Sequence, residues 1–153
     1  MTDWHDIVLR LTAAAALGGA IGLNRNLHGK ASGLRTLALV GLGAATMVLV
    51  AVDDGGDASA VSRVLQGLLT GIGFLGAGVI LHDATASKVH GLTTAATIWV
   101  TACLGAACGA GAWRLAIAAG TIVGLVLVFG GPLEKTLRRF LDRHKAPGDG
   151  DHA

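Results

Sequence analysis

Hydrophobic residues run along this chain in long stretches, without the alternation of strands or the one-sided stripe of soluble helices. Five runs, at 11–23, 37–52, 64–81, 91–113 and 115–133, are separated by short segments that hold most of the charges. A bilayer core about 30 Å thick needs about 17 to 25 helical residues to cross it. The later four runs meet this need alone, and the first meets it if it starts near Ile7 and includes Arg10. A soluble bundle would show a polar position every three or four residues, and these runs do not. The pattern predicts an all-α integral membrane protein: five transmembrane helices within 1–133, then a basic tail over 134–153.

Composition agrees. Of 153 residues, 52% are hydrophobic and only 14% charged, against about 25% charged in an ordinary soluble domain. The first residues, MTDWHD, carry two aspartates where a signal peptide would be basic, so helix one is expected to stay in the mature protein. The charges also set an expected orientation. Arg25, Lys30, Arg35, Lys88, Lys135, Arg138, Arg139, Arg143 and Lys145 fall on one side, nine of the twelve basic residues. The positive-inside rule puts that side in the cytoplasm, with the N-terminus outside. EKTLRRFLDRHK, in the tail, reads as a short basic amphipathic helix at the inner surface, with disorder expected after Pro147. Cys103 and Cys108, five apart on one helix, are spaced wrongly for a disulfide or a metal motif and are expected to be packing residues.

Glycine is the most distinctive residue, with 24 copies. Gly71, Gly73 and Gly76 spell G-x-G-x-x-G, but the surrounding stretch has neither the strand-turn-helix context nor the charge of a dinucleotide site, so no cofactor is expected. Small residues four apart let membrane helices approach closely. Gly18 with Gly22, Gly67 with Gly71, Gly105 with Gly109 and Gly120 with Gly124 fit that spacing. With Gly73, Gly76 and Gly78 they predict tight packing, and the third helix, TGIGFLGAGVI, is expected in the middle of the bundle. At an offset of 58 the chain also matches itself, with eleven identities in the 39 positions from Arg10 to Val48, where roughly four are expected by chance. Helices one and two then form a hairpin repeated as helices three and four, with helix five appended.

Few polar residues remain to carry chemistry. A dehydrated Mg²⁺ path would want carboxylates at depth, yet all ten acidic residues fall in loops, tails or helix ends. Asp53, Asp54 and Asp57 read as a solvated turn. Arg25, His28, Lys30, Arg35, His82, Lys88 and His90 gather near the starts of helices two and four, a face expected to favour anions or to set topology. Arg63 and Gln66 lie one turn apart at the start of helix three, with Gln66 expected to bond between helices. Trp99, midway along helix four, is expected to fill the bundle core, while Trp4 and Trp113 suit the interface. There is no nucleophile with a paired base, no metal cluster and no phosphate-transfer motif, so neither an enzyme nor a nucleic-acid partner is expected.

Three ordered stretches, GGAIGLNRNLHGKASGLRTLALVGLGAA, SRVLQGLLTGIGFLGAGVIL and HGLTTAATIWVTACLGAACGAG, together resemble the MgtC/SapB family of bacterial inner-membrane proteins. The family's pattern falls on Gly22, Arg25, Gly33, Leu34, Arg35, Thr36, Arg63, Gln66, Gly71, Gly73, Gly76, Gly78, Gly91, Leu92, Thr94 and Trp99. Asn24 stands where the family usually has Glu, and His82 and His90 where it usually has Arg. The resemblance implies a multi-pass inner-membrane protein serving Mg²⁺ homeostasis at low Mg²⁺. On that basis Arg25, Arg35, Thr36, Arg63, Gln66, Thr94 and Trp99 are candidate functional residues, and Gly22, Gly67, Gly71, Gly73, Gly76, Gly78, Gly105 and Gly109 are packing positions. The partners implied are the lipid bilayer, another membrane protein or a second copy of the chain, and Mg²⁺. Two modes of action fit: binding or regulating other membrane components, or carrying Mg²⁺ or another solute between the duplicated hairpins. Many relatives continue into a cytoplasmic regulatory domain after the membrane helices, whereas this chain stops soon after helix five.

Overall fold

The computed structural model describes residues 2–53, 55, 57–82 and 90–144. They form five helices: α1 (Trp4–Leu27), α2 (Leu34–Asp53), α3 (Ala58–His82), α4 (Leu92–Gly109) and α5 (Trp113–His144). All five are long and apolar enough to cross a membrane. Expectations placed on Asp54, Lys88, the side chain of His82 and the end of the chain after Pro147 lie outside the described residues.

Two compact units divide the chain, Met1–Gly120 and Thr121–Ala153. In the first, α2 packs along both α1 and α4, and α4 also touches α1 and α3. The contacts are made backbone to backbone. A methyl group added at Gly22 would lie 2.6 Å from the carbonyl oxygen of Gly33, and one at Gly41 would lie 2.6 Å from that of Ala14. On the other side of α2, a methyl at Gly105 would lie 2.9 Å from the Cα of Gly41, and one at Gly109 would lie 2.9 Å from that of Ala45. Gly41 is therefore shared: α1 touches it from one side and α4 from the other. Lipid tails give apolar helices no reason to leave the solvent for one another, so close approach of this kind, gained through dispersion, is what holds them.

The middle position belongs to α4 and not to α3. Thr94, Thr97, Ile98, Thr101, Ala102, Leu104, Gly105, Cys108 and Gly109 of α4 are all buried. On α3, nothing among the described residues lies within 4 Å of a methyl built at Gly67, Gly71, Gly73 or Gly78, whereas one at Gly76 meets Ala95 at 3.5 Å. The expectation that this glycine run fills the bundle centre is corrected: within the protomer four of its five glycines face outward. Trp99 is corrected likewise, since it is 47% exposed on the outer face of α4. In a bilayer that face meets lipid.

Caps and turns account for the helix ends. Asp57 stands before α3, and its Oδ1 accepts the Ala60 amide at 2.9 Å, an N-cap that satisfies one of the free donors of the first turn. Gly91 begins α4 at φ 90° while close against the Val79 carbonyl, a conformation and a space that suit only glycine. The last helix, α5, runs from Trp113 to His144 with Pro132 inside it. In the second unit, residues 121–144 are this helix, and the Thr136 hydroxyl donates to the Pro132 carbonyl at 3.0 Å.

Candidate functional site

Polar groups inside a membrane bundle are costly unless they find partners. Among the described residues the first unit buries three threonines and one charged side chain. Arg25, in the last turn of α1, is only 4% exposed, and it lies on the same helical face as Ala14, Gly18, Ile21 and Gly22, the seam against the neighbouring helices. Its Nη2 donates to the Thr94 hydroxyl at 2.5 Å and its Nη1 to that of Thr97 at 3.3 Å, both on α4. Nε donates to the carbonyl of Ala31, at 3.0 Å, in the turn that follows α1. The Thr97 hydroxyl passes its own proton to the Thr93 carbonyl at 2.7 Å, and Thr101 repeats the pattern on the Thr97 carbonyl at 2.7 Å. All three guanidinium nitrogens are thus satisfied by neutral oxygens, with no carboxylate in an ion pair among the described residues. The negative end of the α1 dipole supplies some of the missing counter-charge.

Expectation placed Arg25 on an exposed basic face. Its burial corrects that placement, and it shows that the guanidinium does not need a carboxylate at position 24 to be held. Thr94, chosen as a candidate, is brought directly against it. Arg35 and Thr36 remain exposed at the start of α2, where they line one end of a groove between α2 and α3. Arg63 and Gln66 stand apart from these groups, both exposed on α3. Arg63 Nη1 donates to Ser59 Oγ one turn earlier, at 2.5 Å. The expected interhelical bond of Gln66 is not formed by its side chain among the described residues.

One residue escaped the sequence reading. Arg10, near the other end of α1, donates from Nη1 to the carbonyl of Gly109 at 3.0 Å and pairs through Nη2 with Asp6 at 2.6 Å. Its guanidinium lies over Gly111, at φ 71°, in the turn leaving α4. One arginine of α1 therefore binds each end of α4: Arg25 its first turn, Arg10 its last. The signal was present, because an arginine inside an apolar run must find oxygen acceptors somewhere in the bundle.

Among the described residues there is no group of three His, Cys, Asp or Glu side chains able to hold a metal ion. The end of the bundle where α1 closes and α4 begins thus presents a fixed positive charge ringed by hydroxyls.

Comparison with known proteins agrees with this architecture. Over 126 residues the chain is 47% identical to the protein SrpB of Synechococcus elongatus, covering 75% of this chain and 69% of that one. It is 42% identical over 116 residues to the protein MgtC of Salmonella typhimurium, covering 76% and 48%. It is 40% identical over 129 residues to an Escherichia coli protein named "Putative magnesium transporter YhiD", covering 80% and 59%. The chain thus spans between about half and about two thirds of the length of these relatives. No solved structure matches it. A model of the MgtC family matches residues 11–136, a stretch that holds Arg25, Arg35, the glycine seam and all of α4. With five membrane-spanning helices and this match, the chain is a multi-pass protein of the bacterial inner membrane and belongs to the MgtC family.

Proposed function

We propose that this membrane domain serves Mg²⁺ homeostasis by binding or regulating other membrane components, and that it does not conduct Mg²⁺ through its own bundle. The observation that supports this is the buried Arg25. A divalent cation passing within about 6 Å of a fixed unit charge meets a repulsion of about 5 kcal/mol at an effective dielectric of about 20. The seam around Gly41 adds a steric reason, because helices touching backbone to backbone leave no room between them for a hydrated ion. Both features serve a domain that must hold one shape against a partner. The exposed face of α3, with Gln66 and its outward glycines, would then be the surface that a partner reads.

The test joins two measurements. The chain is expressed in a bacterium that lacks its own family member and grows poorly at low Mg²⁺. The purified chain is also placed in sealed proteoliposomes holding a Mg²⁺-sensitive dye. Restored growth together with no Mg²⁺ entry above protein-free vesicles is expected. Saturable entry that Arg35→Ala abolishes would overturn the proposal in favour of a transporter, the role that the name of the E. coli relative suggests.

A further inference from the structure

Beside the seam of α1, α2 and α4, a groove of about 690 Å³ opens between α2 and α3. Leu39, Val40 and Met47 of α2 and Leu68, Ile72 and Leu75 of α3 line it, with Arg35 and Thr36 at one end. Its floor is low at Gly43, where nothing among the described residues would meet an added methyl within 4 Å. From Arg35 to Met47 the groove follows α2 for about 18 Å at about 1.5 Å per residue. One leaflet of a bilayer core about 30 Å thick is about 15 Å deep. The groove is therefore as long as one leaflet, charged where the headgroups lie and apolar toward the midplane.

The charged end is built to hold an anion. Arg35 sits in the first turn of α2, which has no acidic residue, and the guanidinium forms no ion pair among the described residues. The first amides of the helix, those of Leu34, Arg35 and Thr36, have no acceptor within it, and they add donors and the positive end of the dipole. The Thr36 hydroxyl completes the set. Placing a cation at a helix N-terminus costs stability by itself, so a helix that begins with one is better served with an anion bound there.

From this length match and charge complementarity we infer that the α2–α3 groove is a binding site for one anionic phospholipid. Its phosphate is held by Arg35, Thr36 and the α2 amides, and an acyl chain lies along Leu39, Gly43 and Met47. The site is distinct from the general contact of any membrane helix with lipid, because it selects a headgroup charge and admits one chain. It stands independently of the regulatory role proposed above, since a transporter could carry the same lipid.

The test is native mass spectrometry of the full chain in detergent, titrated with phosphatidylglycerol, with phosphatidylcholine of the same chains, and with inorganic phosphate. The unaltered chain is expected to retain one phosphatidylglycerol roughly tenfold more tightly than phosphatidylcholine, the scale of one charge-assisted contact. Arg35→Ala should abolish that preference and Arg35→Lys restore part of it. Gly43→Leu fills open space without touching the seam, and it should weaken both lipids together. Equal retention of the two lipids by the unaltered chain would overturn the inference. So would undiminished binding in Gly43→Leu, or displacement of phosphatidylglycerol by inorganic phosphate, which would mark a simple anion site without a chain groove. Protection of Cys108 from thiol reagents confirms that each variant is folded.

Discussion

If the bundle is held by backbone contact at its glycines, Gly105→Ala is the change that shows it most cleanly. The new methyl would press first on the carbonyl oxygen of Gly41 and would also lie 2.9 Å from its Cα and carbonyl carbon, where carbon atoms rest at about 3.5–4.0 Å. None of these atoms belongs to a side chain that can rotate away, so α2 and α4 must part by about 1 Å. A gap of that size forfeits about a quarter to a half of the dispersion well for each facing atom pair. Overpacking of this kind costs about 1–3 kcal/mol, and we take about 2 kcal/mol here. Helix propensity acts the other way by about 1 kcal/mol, which Gly71→Ala on the open face of α3 measures alone, since nothing lies within 4 Å of that position. Cys108 supplies the probe. It is fully buried against Ala14, Ala45 and Ala116, where α1, α2, α4 and the start of α5 meet. With Cys103 changed to alanine, the rate of labelling by a thiol-reactive dye in micelles reads the opening of this core. The overpacking cost of about 2 kcal/mol raises it roughly thirtyfold over Gly71→Ala, and the net loss of about 1 kcal/mol raises it roughly fivefold over the unaltered chain. Labelling of Gly105→Ala no faster than that of Gly71→Ala would refute the idea that this contact holds α2 to α4.

Two further outcomes are expected. Thr94→Val leaves a buried guanidinium N–H without its acceptor and should cost about 1–3 kcal/mol. Adding Arg25→Met should recover most of that loss, because the buried charge leaves with the hydroxyl; a double variant as unstable as the sum of the singles would show that the two residues act separately. A reporter enzyme fused after Lys145 should be active only in the cytoplasm, and periplasmic activity would reverse the orientation argued from the basic segments.

The helices were legible in the sequence because an apolar run of membrane length has few other fates. Their arrangement was harder to read, as α3 and α4 illustrate. Glycine spacing shows that a helix is able to pack closely, but not that it does. The run on α3 has the denser glycine pattern, and most of it faces outward in the protomer. The better signal was on α4, whose threonines, alanines, cysteines and glycines leave few large side chains on any side. A helix surrounded by neighbours needs small residues all round, and a helix at the edge needs them along one stripe. Arg25 could have been placed by the same reasoning, since it continues the face of Ala14, Gly18 and Gly22 by one further turn. Its charge argued for the surface, whereas its position in the seam decided the matter. The groove at Arg35 depends on how α2 lies beside α3, which no spacing along the chain records.

The distance along the chain between Arg25 and its acceptors has a consequence for how the protein is made. Thr94 lies 69 residues after Arg25, and chains emerge from the ribosome N-terminus first at about 5–20 residues per second. For roughly 3–14 s Arg25 is therefore made but without α4, its guanidinium held by one turn carbonyl and the water at the bilayer surface, within reach of a long side chain at a helix end. When α4 inserts, its threonines replace that water and draw the charge into the bundle. A chain that stalls before Leu92 keeps that guanidinium at the membrane surface, so the bond between α1 and α4 closes only after four helices have been made.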